Sequence, residues 1–403
     1  MASKKPPALA VAIPLGSGEG DGNRARGLEK LTKQAPRAAS AIVEEPRSPS
    51  RKKAAGNHAA AASRVYTPPD EEGARNFLRS CHWSHGLQSS LLASCNKYPI
   101  RFYIIDDSGS MNTLDGHRIV GDDVRKQRMI KCTRWSELCS SLRFHAELSH
   151  AAKAPTEFRF LNLAEPVLVG SPSDEKGEGL EIFLKILDEE GPGGQTPLCE
   201  QIKQVVASIQ RIEDDLRRAG QKACVIVATD GEPTDGDLVE AMRPLQQLPV
   251  WLVVRICSDD EAIVTFWNNI DEDLEIDMDV LDDIQSEAEE IRAVNSFLYY
   301  NQPLHQLREF GSAMKELDLI DEAMLSSEQM SAVCSMLLCD SKDDPKLPLP
   351  ELDFGQFISQ LKAMLAKRPV IFDPILRTPA PLINVPALCA KYDQRPSAAC
   401  TLA

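Results

Sequence analysis

Residues 101–116 read "RFYIIDDSGSMNTLDG": an apolar run that stops at two aspartates and continues Ser-Gly-Ser. The run predicts a buried strand. Asp and Ser commonly close a strand by making a turn, yet a turn does not explain a carboxylate and two hydroxyls at spacing two, Asp106, Ser108 and Ser110. Working outward, further strand candidates are "EFRFLNL" (157–163), "PVLVG" (166–170), "ACVIVAT" (223–229), "VWLVVRIC" (250–257) and "LEIDMDV" (274–280), with "IRFYII" (100–105) the first of the set. Three are nearly continuous apolar runs, as strands covered on both faces require. Helical patterns fall between them, near 130–151, 178–189, 236–246, 259–269 and 281–296. The clearest starts at Thr196-Pro197, where Leu198, Ile202, Val205, Val206, Ile209, Ile212 and Leu216 form one stripe. Thr196 suits an N-cap, Pro197 the first helical position and Gly220 the end. The alternation predicts an α/β chain with a Rossmann-like, doubly wound, mostly parallel six-stranded sheet flanked by helices.

Around this body the composition shifts. Residues 1–65 hold 12 Lys/Arg against 5 Asp/Glu and lack a sustained period, which predicts a disordered basic tail. "PRSPSRKK" (46–53) within it is a candidate phosphorylation site. Residues 66–97 form a helical lead-in, 301–345 a helical extension, and 346–403 a proline-punctuated tail with one short helix near 354–367. From residue 66 onward 33 basic side chains face 55 acidic ones, and this excess argues against a nucleic-acid groove, which needs clustered Lys and Arg. Fourteen acidic side chains and one basic lie between Ser258 and Arg292, expected as a solvated face. Eleven scattered cysteines without a C-x-x-C pair indicate a reduced, cytoplasmic protein. "ALAVAIPLG" (8–16) is too short and proline-broken for a signal peptide, and no stretch reaches membrane-helix length.

In a doubly wound sheet, ligands bind beyond the carboxyl ends of the strands. Three polar groups are expected there: Asp106-x-Ser108-x-Ser110, Thr196 in "GPGGQTPL", and Asp230 in "VIVATDGEPTDG". Each has a plain reading alone, as strand ending, helix cap and turn. Together, two carboxylates and three hydroxyls are hard oxygen donors suited to Mg²⁺ or a similar divalent ion. Asp107, whose side chain points opposite to that of Asp106, is expected to be exposed or bound to backbone.

This set resembles the metal-ion-dependent adhesion site of von Willebrand factor A domains in both content and chain order, "DDSGSM", then "GGQTPL", then "TDGEPTDG". The resemblance covers residues 98–300, about half the chain, and implies a metal at the top of a central parallel sheet. It further implies that Ser108, Ser110 and Thr196 contact the ion, while Asp106 and Asp230 act directly or through water. The segment 112–129 reads as a long charged loop able to reshape the family's binding face.

Other candidates are weaker. Cys81, His82, His85 and Cys95 fit no structural zinc spacing. Asp277, Asp279, Asp282 and Asp283 lack the glycine and final glutamate of a calcium loop and read as a charged strand end. The terminal "CTLA" has the form of a farnesylation signal at Cys400, though Thr401 is not aliphatic. No nucleophile elbow, phosphate loop or zinc-protease motif is present, and His117 has no evident carboxylate partner. The expectation is therefore a non-enzymatic, intracellular binding module. Its Mg²⁺ (or Mn²⁺ or Ca²⁺) bridges to an Asp or Glu of a protein partner, with no nucleic acid, and with a membrane only if Cys400 is prenylated. The alternatives are a metal-dependent phosphoester hydrolase and a scaffold whose metal site is incidental.

Overall fold

The structure is a computed structural model that describes residues 67–393, apart from 173, 175 and 259. The chain enters through two helices, α1 (Glu71–Ser80) and α2 (His85–Lys97), capped by the side chains of Asp70 and Ser84. It then forms β1 (Arg101–Ile105), a hairpin of β2 (Gly116–Val120) and β3 (Arg128–Cys132), α3 (Arg134–Ala151), β4 (Thr156–Phe160), β5 (Val167–Val169) and α4 (Glu178–Glu189). Next come α5 (Leu198–Ala219), β6 (Ala223–Thr229), α6 (Leu238–Met242), β7 (Val250–Ile256), α7 (Glu261–Asp273), β8 (Met278–Leu281) and α8 (Ile284–Val294). The C-terminal part carries α9 (Gln302–Glu309), α10 (Lys315–Asp318), α11 (Ser327–Leu338), α12 (Phe354–Leu365), a small ladder of β9 (Ile371–Asp373) with β10 (Thr378–Ala380), and α13 (Val385–Tyr392).

Six strands make one sheet in the order β5-β4-β1-β6-β7-β8, parallel except for the β4–β5 edge pair. This is the expected α/β architecture. Alternation divides each apolar run between two layers. Phe102, Ile104, Val225, Val227, Leu252 and Val254 pack with α5, α6 and Trp267 of α7. Tyr103, Ile105, Phe158, Phe160, Ile226 and Val253 pack on the other face with α3 and α4. All seven residues of β6 are buried, as expected for a strand with helices on both sides. α5 ends on Gly220 at φ 65°, a left-handed cap that glycine adopts without a Cβ penalty.

The lead-in and the C-terminal helices share a third core, which includes Leu78, Leu87 and Leu91 with Leu307, Leu337 and Phe357. The extension also fastens to the sheet through buried charge. Arg308 pairs with Asp279 at 2.9 Å, Glu287 at 2.5 Å and Asp321 at 2.6 Å. Arg255 pairs with Glu309 at 3.0 Å and with Glu137, and His145 reaches Glu309 at 3.1 Å. The acidic stretch 258–292 is therefore not simply a solvated face: Asp279 and Glu287 are buried partners of Arg308, and Asp283 caps α8. Burial pushes Glu137 up to about 7 and Glu287 up to about 8, while the neighbouring arginines pull the other way. Glu309 is also opposed by burial, yet its two histidines hold it well below the ordinary range.

Two further sequence expectations change in the secondary structure. The supposed loop 112–129 is largely the antiparallel β2–β3 hairpin, with Gly116 opposite Cys132 and Val120 opposite Arg128. The tail after residue 346 holds the expected helix, α12, but also β9, β10 and α13. Among the described residues no helix is long and apolar enough to cross a membrane.

Candidate functional site

β1 and β6 are parallel neighbours with Ile105 opposite Ala228, so the chains leaving them emerge side by side. Asp106 prolongs the ladder by donating its N–H to the Ala228 carbonyl at 2.8 Å. Its carboxylate is fully buried. One oxygen accepts the Ser108 N–H at 2.9 Å and the other accepts the Thr229 hydroxyl at 2.7 Å. The Ser108 and Ser110 hydroxyl oxygens lie 2.9 Å apart, and Ser110 donates to Asp230 Oδ1 at 2.8 Å. Four of the five expected residues thus form one connected set, although Asp106 and Asp230 are 124 positions apart.

The fifth, Thr196, sits on a loop wedged against both strand ends. Gly193 N–H donates to the Asp107 carbonyl at 2.7 Å, and Gly109 N–H to the Gly194 carbonyl at 3.2 Å. Thr196 exchanges two bonds with Thr234 through its backbone, its N–H donating to Thr234 Oγ1 at 3.1 Å and its carbonyl accepting from Thr234 N at 2.9 Å. Gly194 has φ 91°, and a Cβ there would fall 2.5 Å from Asn162 Oδ1, so no other residue fits without moving Asn162. Thr196 is not the N-cap expected from the sequence. Pro197 holds that position, and the first-turn amides of Cys199 and Glu200 donate instead to the Asp235 carboxylate, at 3.0 and 2.8 Å. A cap supplied from 35 residues downstream leaves the Thr196 side chain without a capping role.

Asp107 is buried, not exposed; of the two readings, the backbone-bound one holds. Its Oδ1 accepts the Asn162 N–H at 3.0 Å and the Asn162 side-chain amide at 2.8 Å. Burial raises its pKa against those bonds.

Sequence reasoning missed Arg134, the first residue of α3. Its Nη1 donates to Asp230 Oδ2 at 2.9 Å, and its Nε donates to Asp115 Oδ1 at 2.8 Å. Arg134 holds the Asp115 carboxyl below its ordinary range, whereas burial lifts Asp230 above it despite Arg134 and Ser110. Nothing in "CTRWSE" signals this, because the partners lie 19 and 96 residues away. Thr229 was missed for the same reason. Two buried carboxylates, Asp106 bonded by an amide and a hydroxyl and Asp230 facing a guanidinium, make the strand ends acidic.

The other candidates disperse. Cys81 follows α1, His82 has φ 62°, His85 opens α2 and Cys95 is buried in the third core. Among the described residues no group of three or more His, Cys, Asp or Glu is placed to hold a metal. Asp279 and Asp283 serve Arg308 and α8. His117 lies on β2, with its backbone N–H on Glu137 Oε2 at 2.7 Å. Cys400 and the 1–65 tail with its "PRSPSRKK" lie outside the described residues.

No protein-family model matches this sequence, and no curated protein matches it. Among solved structures it is similar to proximal thread matrix protein 1 from the mussel byssus (crystal form 2), with a TM-score of 0.31 and 15% identity over 46% of this chain. It is also similar to the manganese-loaded TRAP protein of Plasmodium vivax, with a TM-score of 0.30 and 16% identity over 47% of this chain and 70% of that one. The match spans 43% of the mussel protein. At these scores neither likeness carries an argument about this chain.

Proposed function

We propose that this protein is a cytoplasmic, non-enzymatic binding module in which a divalent cation at the strand ends bridges to an Asp or Glu of a protein partner. The observation that carries the reading is Asp106, a fully buried carboxylate whose hydrogen bonds come from the Ser108 N–H and the Thr229 hydroxyl. Neutral donors do not cancel a buried charge, and such a charge is costly without a counter-ion. Ser108, Ser110 and Asp230 continue the same line of hard oxygens, with Thr196 on the adjoining loop. Hydroxyls and carboxylates fit Mg²⁺, Mn²⁺ or Ca²⁺ and not a thiophilic metal. Ser108, Ser110 and Thr196 would hold the ion, with Asp106 and Asp230 acting directly or through water. An ion held by few charged ligands keeps positive charge for an acidic group from outside. The ten described cysteines are all free, in keeping with a reducing compartment.

The test is calorimetric titration with Mg²⁺ and Mn²⁺, together with partner capture in the presence and absence of chelator. Asp106→Ala and Asp230→Ala should each abolish cation binding and capture while the far-ultraviolet circular dichroism stays unchanged. Folded variants that retain both would sink the reading. Metal-dependent turnover on a phosphoester panel would replace it with hydrolysis.

A further inference from the structure

We propose that Arg134 is a tethered cation that occupies the outer oxygen of Asp230 until a divalent ion takes its place. The inference rests on the cation-binding reading and concerns how the site is held in the ion's absence. Both Asp230 oxygens already have donors, Ser110 at Oδ1 and Arg134 at Oδ2. The two donors differ in what an arriving ion asks of them. A serine hydroxyl turns its proton away and offers a lone pair to the metal, whereas a guanidinium has no lone pair to offer and carries like charge. Arg134 must therefore leave Asp230 or oppose the ion.

It also has somewhere to go. Asp115, at the mouth of the hairpin, takes two further bonds from the same guanidinium, from Nε at 2.8 Å and from Nη2 at 2.5 Å. Arg134 can give up Asp230 while its fork on Asp115 remains, and the Asp115 side chain is 26% exposed against 1% for Asp230. The backbone stays put during the exchange. Arg134 N–H donates to the Thr113 carbonyl at 3.1 Å, and Thr113 Oγ1 donates to the Ser110 carbonyl at 2.7 Å, so α3 starts on the loop that carries the serines. Only a side chain has to move, and the charge beside Asp230 is never left without a partner.

The experiment compares wild type, Arg134→Gln and Arg134→Lys, titrated with Mn²⁺ by calorimetry and melted in EDTA and in Mn²⁺. Arg134→Gln should bind Mn²⁺ about tenfold more tightly, because a like charge next to the ion is gone. Arg134→Lys, which keeps the charge, should stay close to wild type. In EDTA, Arg134→Gln should melt below wild type, and Mn²⁺ should restore it. An arginine with a purely structural role would lower the melting temperature equally in both conditions. Binding to Arg134→Gln that equals or falls below wild type overturns the inference and leaves the cation reading standing. If none of the three folded proteins binds Mn²⁺, the cation reading itself falls.

Discussion

The buried carboxylates of the C-terminal seam and those of the strand ends are held differently. At the seam between sheet and C-terminal helices, Asp279, Glu287 and Asp321 converge on Arg308, while Glu137 and Glu309 converge on Arg255. Charge meets charge there, although burial still raises Glu137 to about 7 and Glu287 to about 8. At the strand ends Asp106 meets hydroxyl and amide donors, while Arg134 is shared between Asp230 and Asp115. The seam is closed on itself and binds the fold together. The strand ends are left short of positive charge, which is the condition for recruiting it from solution.

The contrast is sharpened first at the seam. Arg308→Met should strand three carboxylates and cost about 3–5 kcal/mol in urea unfolding; a loss below about 1 kcal/mol would mean the seam is not a structural pairing. The second effect is in pH. Glu137 and Glu287 have an ordinary value of 4.5 and are raised to about 7 and about 8 by burial. The folded chain thus keeps protons that the unfolded chain has released. Their contribution is full below about pH 4.5 and is lost as pH rises through 7 to 8. Melting temperature should fall between about pH 4.5 and pH 8, and Glu287→Gln should reduce that fall. An unchanged profile in Glu287→Gln would assign the titration elsewhere.

At the strand ends the sign reverses. Asp106→Asn in EDTA should leave stability unchanged or raise it by about 1 kcal/mol, because a buried charge with neutral partners is removed. A loss as large as that of Arg308→Met would erase the distinction between the two regions. The most local effect concerns the remote cap: Asp235→Ala should cost about 1 kcal/mol, the usual worth of a helix cap, with the Thr196 loop loosened. Hydrogen exchange at Cys199 and Glu200 would report it directly.

What was legible in the sequence follows the range of the forces involved. β6 spans Ala223–Thr229 as its apolar run predicts, and α4 spans Glu178–Glu189, because burial on two faces and an amphipathic stripe are written locally. The β2–β3 hairpin escaped notice since residues such as Arg118, Arg128 and Lys131 break the apolar pattern of its strands. β8 occupies Met278–Leu281 and not 274–280, because Leu274 packs as the end of α7 and only the later half pairs with β7. At the site, Asp106, Ser108, Ser110, Thr196 and Asp230 were readable as a spaced set of like chemistry. Arg134, Thr229 and Asp235 were not, since each matters only through a partner far away in the chain.

The Asp107–Asn162–Gly194 junction has a consequence for when the site comes into being. Asp107 grips the residues after β4, and Asn162 grips the Gln195 carbonyl on the Thr196 loop. Those joints tie the end of β1 to the segment after β4 and to the Thr196 loop, while the Asp230 side of the site reaches β1 only through the β1–β6 pairing, across more than a hundred residues of chain. Long-range closures of this kind come late in folding, after local helices have formed. No fragment ending before Asp230 can assemble the strand ends, and a ligand seated there would select the finished fold alone, stabilising it by mass action.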